Sequence, residues 1–148
     1  MQPQRLTDLI PRICHCRLAR ALQVEELDEG HAVLSFDPTR CESLPAVFDH
    51  SLLLKLADAA MFVSLVGSAG ASAQSRAAQV RMRSFETPMP DRFVVETRVT
   101  TLRGGLGCTE ATIRADGPDE ASRRVIAHAS GTYRIPTGVH SAITPAVV

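Results

Sequence analysis

One run of the chain constrains the fold more than any other. Leu52-Leu53-Leu54-Lys55-Leu56-Ala57-Asp58-Ala59-Ala60-Met61-Phe62-Val63-Ser64-Leu65-Val66 is apolar on every side when wound as a helix. A helix of that kind belongs inside a protein, enclosed rather than laid half-exposed on a surface. Asp58 stands in its middle, where a carboxylate is expensive to desolvate unless it is paired or holds a proton. Carboxylates placed in this way are over-represented at functional sites. The structural alternative is a buried salt bridge to Lys55, the only lysine of the chain, three residues earlier on the same face.

At 148 residues the chain fits one domain with a core that needs no staples. Its 16 basic and 16 acidic side chains balance, so electrostatics give no reason to expect nucleic acid or a membrane surface as partner. The N-terminus lacks the charged-then-apolar pattern of a signal peptide. The 52–66 run is short for a membrane span and carries Lys55 and Asp58. The expected location is the cytoplasm, with Cys14, Cys16, Cys41 and Cys108 as free thiols. Cys14-His15-Cys16 lacks the spacing of known zinc sites, and no metal is expected.

Punctuation and periodicity divide the chain as follows. Residues 1–17 form an N-terminal helical segment, with helical turns running on toward Leu22 and interrupted near Pro11. Two strands, Leu22–Leu27 and His31–Phe36, form a hairpin through Asp28-Glu29-Gly30. The central helix is capped by Asp49 or Ser51 and stopped by Gly67-Ser68-Ala69-Gly70. Four strands follow as a meander: Gln79–Glu86, Arg92–Leu102, Leu106–Arg114 and Arg124–Ile135. In the first, Gln79, Arg81, Arg83 and Phe85 share one face; in the last, Val125, Ala127, Ala129, Gly131, Tyr133 and Ile135 do. The whole is a single domain with its core at about 18–136 and a polar tail at 137–148. One antiparallel sheet curled around one long helix is an α+β solution that hides every face of that helix.

This order, with Leu56-Ala57-Asp58 in the helix and Phe85-Glu86-Thr87-Pro88 closing the next strand, resembles the hotdog-fold acyl-CoA thioesterases of the phenylacetate-pathway (PaaI-like) type. The turn into the Val-rich strand at Asp91-Arg92-Phe93-Val94-Val95 and the ending Gly131-Thr132-Tyr133-Arg134-Ile135 look like the same family. The likeness runs from about Leu18 to Ile135. The family's His-Gly-Gly signature at the helix start, separated by six residues from the catalytic acid, reads here Asp49-His50-Ser51. The acid is kept; the signature is degenerate.

The resemblance implies hydrolysis of an acyl- or aryl-CoA thioester. Asp58 is expected to attack the thioester or activate water, and the backbone N–H groups of His50 and Ser51 to hold the oxyanion. Asp49 lies beside that oxyanion site, and His50 is placed to neutralise it or to donate. Eight residues, or roughly 12 Å at ~1.5 Å per residue, separate Asp58 from His50. The family answers this with a homodimer, or a homotetramer built from it, in which the acid of one subunit faces the helix start of another. For Asp49, His50 and Ser51 the bland alternative is helix capping. Arg81 and Arg83 are candidates for the phosphates of coenzyme A, or else a solvated outer face. Arg103-Gly104-Gly105 is a candidate nucleotide contact. Lys55 is counted with the substrate-binding residues. Phe48, Met61, Phe62 and Phe85 line an acyl pocket or serve as core. No cofactor is expected beyond the coenzyme A of the substrate. Two rival readings are a hotdog acyl-CoA-binding protein without catalysis and a hotdog hydratase or dehydratase.

Overall fold

The computed structural model describes residues 8, 17–41, 49–69, 76–88, 91–119 and 121–136. After a 3-10 turn at Arg17–Ala21 come β1 (Leu22–Asp28), β2 (His31–Phe36), α1 (His50–Ala69), β3 (Arg76–Ser84), β4 (Phe93–Arg103), β5 (Leu106–Ala115) and β6 (Val125–Arg134). Each β-pairing is antiparallel, and the six strands form one sheet in the order β1-β2-β4-β5-β6-β3. The expected helical segment at 1–17 and the tail at 137–148 lie outside the described residues, apart from residues 8 and 17.

The strands form where apolar and polar residues alternate. In β4, Phe93, Val95, Thr97 and Val99 point inward, and in β5 Thr109, Ala111, Ile113 and Ala115 do the same. Gly104 and Gly105 both take positive φ (62° and 73°), the two-residue hairpin geometry that a side chain resists. At the next turn Asp119 accepts hydrogen bonds from the backbone N and Oγ of Ser122, which hold its carboxyl below the usual carboxylate range. The core lies between the inner face of the sheet and α1, with Leu53, Leu56, Met61 and Leu65 of the helix against Leu34, Phe36, Phe93, Val95 and Ile113. Phe36 and Phe93 stack with centroids 5.9 Å apart.

Three expectations need correction. The helix does not stop at the first residue of the expected Gly67-Ser68-Ala69-Gly70 signal but runs through Gly67 and ends at Ala69, within it; a single glycine costs a helix only about 1 kcal/mol, and burial of Val66 beside it offsets that. By length and composition this helix is now long enough to cross a membrane, yet 61% of that stretch is buried in its own domain. Nor do the last four strands form one meander: β4, β5 and β6 do, while β3 lies outside β6 at the far edge. The helix crosses the sheet after β2, so the strand that follows it starts on the opposite side. Finally, the sheet does not enclose the helix completely. Ser51 and Lys55 are exposed, and Leu54, Asp58 and Phe62 are half-buried, forming one open stripe along α1.

Candidate active site at an open helix stripe

The N-terminus of α1 is organised by Asp49. Its Oδ1 accepts from the backbone N of Leu52 at 3.0 Å, and its carbonyl accepts from Leu53 N at 3.0 Å. Asp49, not Ser51, is therefore the N-cap. Its carboxylate satisfies one orphan donor of the first turn and lies where the positive end of the helix favours it. Among the described residues the N–H groups of His50 and Ser51 have no hydrogen-bond partner, so two donors stay open at this helix end. His50 does not neutralise Asp49. Its Nδ1 lies 3.1 Å from Ser84 Oγ and ties the helix start to the end of β3. Ser51 is exposed.

Two turns along, Asp58 has a partner that the sequence reading missed. Tyr133 of β6, 1% exposed, donates its hydroxyl to Asp58 Oδ1 at 2.6 Å, and the same hydroxyl lies 3.4 Å from the Asp58 carbonyl. The alternative, an ion pair with Lys55, does not form among the described residues; Lys55 is exposed. The phenol crosses from strand to helix because Gly131 leaves it room. A Cβ at Gly131 would sit 2.7 Å from Tyr133 Cε2. Phe62, four residues after Asp58, packs on the same ring with centroids 6.4 Å apart. A signal was present: this is the only tyrosine in the chain, on the strand face expected to meet the helix, and a buried phenol needs an acceptor.

The remaining candidates scatter. Met61 is fully buried core. Phe48 lies outside the described residues. Arg81 and Arg83 point from β3 onto the outer face of the sheet, away from α1, where a groove of about 490 Å³ runs past Glu110, Thr112 and His128. Phe85 is 49% exposed on that outer side, edge-on to His128 and under the guanidinium of Arg83, so it lines no pocket with Asp58. Arg103 and Gly104 form the exposed β4–β5 turn. That turn is at the end of the sheet where Gly107 meets Leu65 of the last helical turns, opposite the end where His50 meets Ser84. Within one chain, then, the fold gathers Asp58, Tyr133 and Phe62, and separately Asp49, His50 and Ser51.

Chemically, the first group is a carboxylate with one oxygen held by a phenol and its other oxygen on an open stripe. The second is a pair of free N–H donors at a helix end, suited to an oxyanion or other anion.

A long helix clasped by a six-stranded antiparallel sheet is the hotdog fold. No family model and no curated protein matches the sequence. Solved structures of the same shape include zebrafish thioesterase superfamily member 2 (TM-score 0.73, 9% identity), covering 92% of this chain and 99% of that one. Mouse thioesterase superfamily member 2 is similar (TM-score 0.69, 10% identity, 92% and 100% covered). A point mutant of the phenylacetic acid degradation protein PaaI from Thermus thermophilus aligns with TM-score 0.62 and 18% identity over 80% of this chain and 96% of that one. At these identities the likeness establishes the fold.

Proposed function

We propose that this protein is a cytoplasmic, homo-oligomeric thioesterase that hydrolyses an acyl- or aryl-CoA thioester without metal or bound cofactor. The observation that carries this reading is the division of the site on α1: a free carboxylate oxygen at Asp58 and two open N–H donors at His50 and Ser51, separated by roughly 12 Å along one rigid helix. One chain cannot bring both to a single carbonyl carbon. Two helices running antiparallel can, and the open stripe of Leu54, Asp58 and Phe62 leaves apolar surface for a second copy to cover.

In the proposed reaction the thioester carbonyl oxygen lies on the N–H groups of the partner subunit's His50 and the partner subunit's Ser51. Asp58 either takes a proton from water, whose oxygen then adds to the carbonyl carbon, or adds directly to give a mixed anhydride that water cleaves. In both cases the carbon–sulfur bond breaks, coenzyme A leaves as the thiolate, and the proton released from water ends on sulfur or in solvent. The N-cap bond of Asp49 supports this assignment, because a carboxylate engaged with Leu52 N is turned to the helix rather than to the oxyanion. Asp58 bound to Tyr133, and not locked on Lys55, favours hydrolysis over binding alone.

The test is thiol release from a panel of short, medium, long-chain and aromatic acyl-CoA thioesters. Turnover of at least one, lost by roughly a thousandfold or more in Asp58→Asn, is the expected result. Unchanged turnover in that variant removes Asp58 from the mechanism. Tight binding of the panel with no release from any member replaces the enzyme reading with the acyl-CoA-binding one.

A further inference from the structure

We propose that Tyr133 is the positioning residue of this site: it holds Asp58 Oδ1 so that only Oδ2 addresses the thioester. This rests on the thioesterase reading above. Tyr133 is 1% exposed and contributes nothing to the open stripe itself, so it acts through Asp58 and does not meet substrate.

The geometry is built for that purpose from three sides. The hydroxyl reaches Asp58 Oδ1 at 2.6 Å, a short charge-assisted distance. The ring lies over Gly131, where any Cβ would strike Cε2 at 2.7 Å and press on Met61 Cε at 3.3 Å. Phe62 closes the helix side at 6.4 Å between centroids. A tyrosine whose ring is fixed on one side by a missing side chain and on the other by an aromatic has one place to put its hydroxyl.

Packing alone does not call for this residue. Phenylalanine fills the same space without burying a hydroxyl that then needs an acceptor. Asp58 is half-exposed, so water satisfies its oxygens without help. What the bond changes is freedom: a carboxylate on the open stripe of a helix turns between rotamers, and the phenol fixes one of them. Fixing the reacting group lowers the barrier without altering substrate affinity. The loss on removing the hydroxyl therefore falls on kcat and spares KM.

Because the chain has one tyrosine and no tryptophan, biosynthetic incorporation of 3-fluorotyrosine labels Tyr133 alone. The single fluorine resonance is expected to move in Asp58→Ala and to stay in place in Arg98→Ala, on the outer sheet face. Tyr133→Phe is expected to lower kcat roughly 10- to 100-fold, the loss of one hydrogen bond to a charged group, with KM within about twofold. In the Asp58→Asn background the same change is expected to have no further effect, since coupled residues do not add. If Tyr133→Phe folds poorly, ring-fluorinated tyrosines that weaken or strengthen the donor without removing it are expected to grade kcat. Wild-type kcat in Tyr133→Phe, or a flat fluorotyrosine series, overturns the positioning role while leaving the thioesterase reading intact. A fluorine resonance that answers to Asp58→Ala in a protein that hydrolyses no thioester means the reverse: the bond stands and the proposed reaction falls.

Discussion

Asp49 and Asp58 are two carboxylates of one helix held by different donors, a backbone N–H and a phenol. Asp49 accepts from the backbone at Leu52 N, so its contribution is to helix stability. Asp49→Ala is expected to lower unfolding free energy by about 1 kcal/mol in urea titration, and Asp49→Ser to restore most of it, since serine caps nearly as well. Both the cap and thioester turnover surviving in Asp49→Ser separates Asp49 from the chemistry; turnover lost with the cap intact makes it a participant. Further along, Ser68 Oγ is buried with no hydrogen-bond partner among the described residues, whereas Ser64 Oγ donates to Met61 O at 2.9 Å. Removing an unpaired buried hydroxyl relieves a desolvation penalty, so Ser68→Ala is expected to stabilise the protein by about 1 kcal/mol. Ser64→Ala, which forfeits a made bond, is expected to move the urea midpoint the other way.

At the scale of elements, Gly131 shows how a strand is shaped for what crosses it. Adding one methyl there meets the Tyr133 ring at 2.7 Å and Met61 at 3.3 Å, in a core with no slack. Gly131→Ala is expected to cost about 1–3 kcal/mol of stability by overpacking. The displaced phenol should also drag kcat down as Tyr133→Phe does; a stable Gly131→Ala protein with full kcat means the ring has found another seat. Alternation made much of this architecture legible: the two faces of β3 and the small-residue face of β6 follow from period two in the sequence. What alternation does not encode is which strands are neighbours, so β3 was expected beside β4 and lies beyond β6. The helix core was equally legible, but not the residue at which it ends, because Gly67 reads as a stop locally and is overridden by packing. The Asp58–Tyr133 bond joins residues 75 apart in sequence, and only the tertiary path of α1 over β6 brings them together. The apolar run read as buried on all sides for a related reason: Leu54 and Phe62 are apolar yet half-exposed, and apolarity alone does not say which of a helix's faces its own sheet covers.

At the scale of the whole molecule, the sheet ends, among the described residues, in two edge strands, β1 and β3. β1 is interrupted by a register shift between Val24 and Glu26 and carries Glu25, Glu26 and Asp28, both of which blunt an edge against pairing. β3 also shifts register, between Ala77 and Gln79, and carries Arg81 and Arg83, but from Gln79 to Ser84 its pairing with β6 is unbroken, beside the strand that holds Tyr133. A second copy added along β3 by a two-fold axis would extend the sheet and set the two α1 helices antiparallel, the arrangement that the proposed divided site requires. If so, no catalytic centre belongs to one chain, and that can be read from mixtures. His50→Pro deletes one oxyanion donor at the first helical position, where proline is best tolerated, and leaves Asp58 in place. Asp58→Asn deletes the acid and leaves the donors. Each alone should be severely impaired. Co-refolded in equal amounts, about half the dimers are mixed and each mixed dimer keeps one intact site, so about a quarter of the wild-type rate should return. Recovery of that size places the acid and the oxyanion donors on different chains. No recovery, in a mixture shown by tagged pull-down to contain mixed dimers, places both on one chain and overturns the shared site, because a centre complete within each subunit gains nothing from its neighbour.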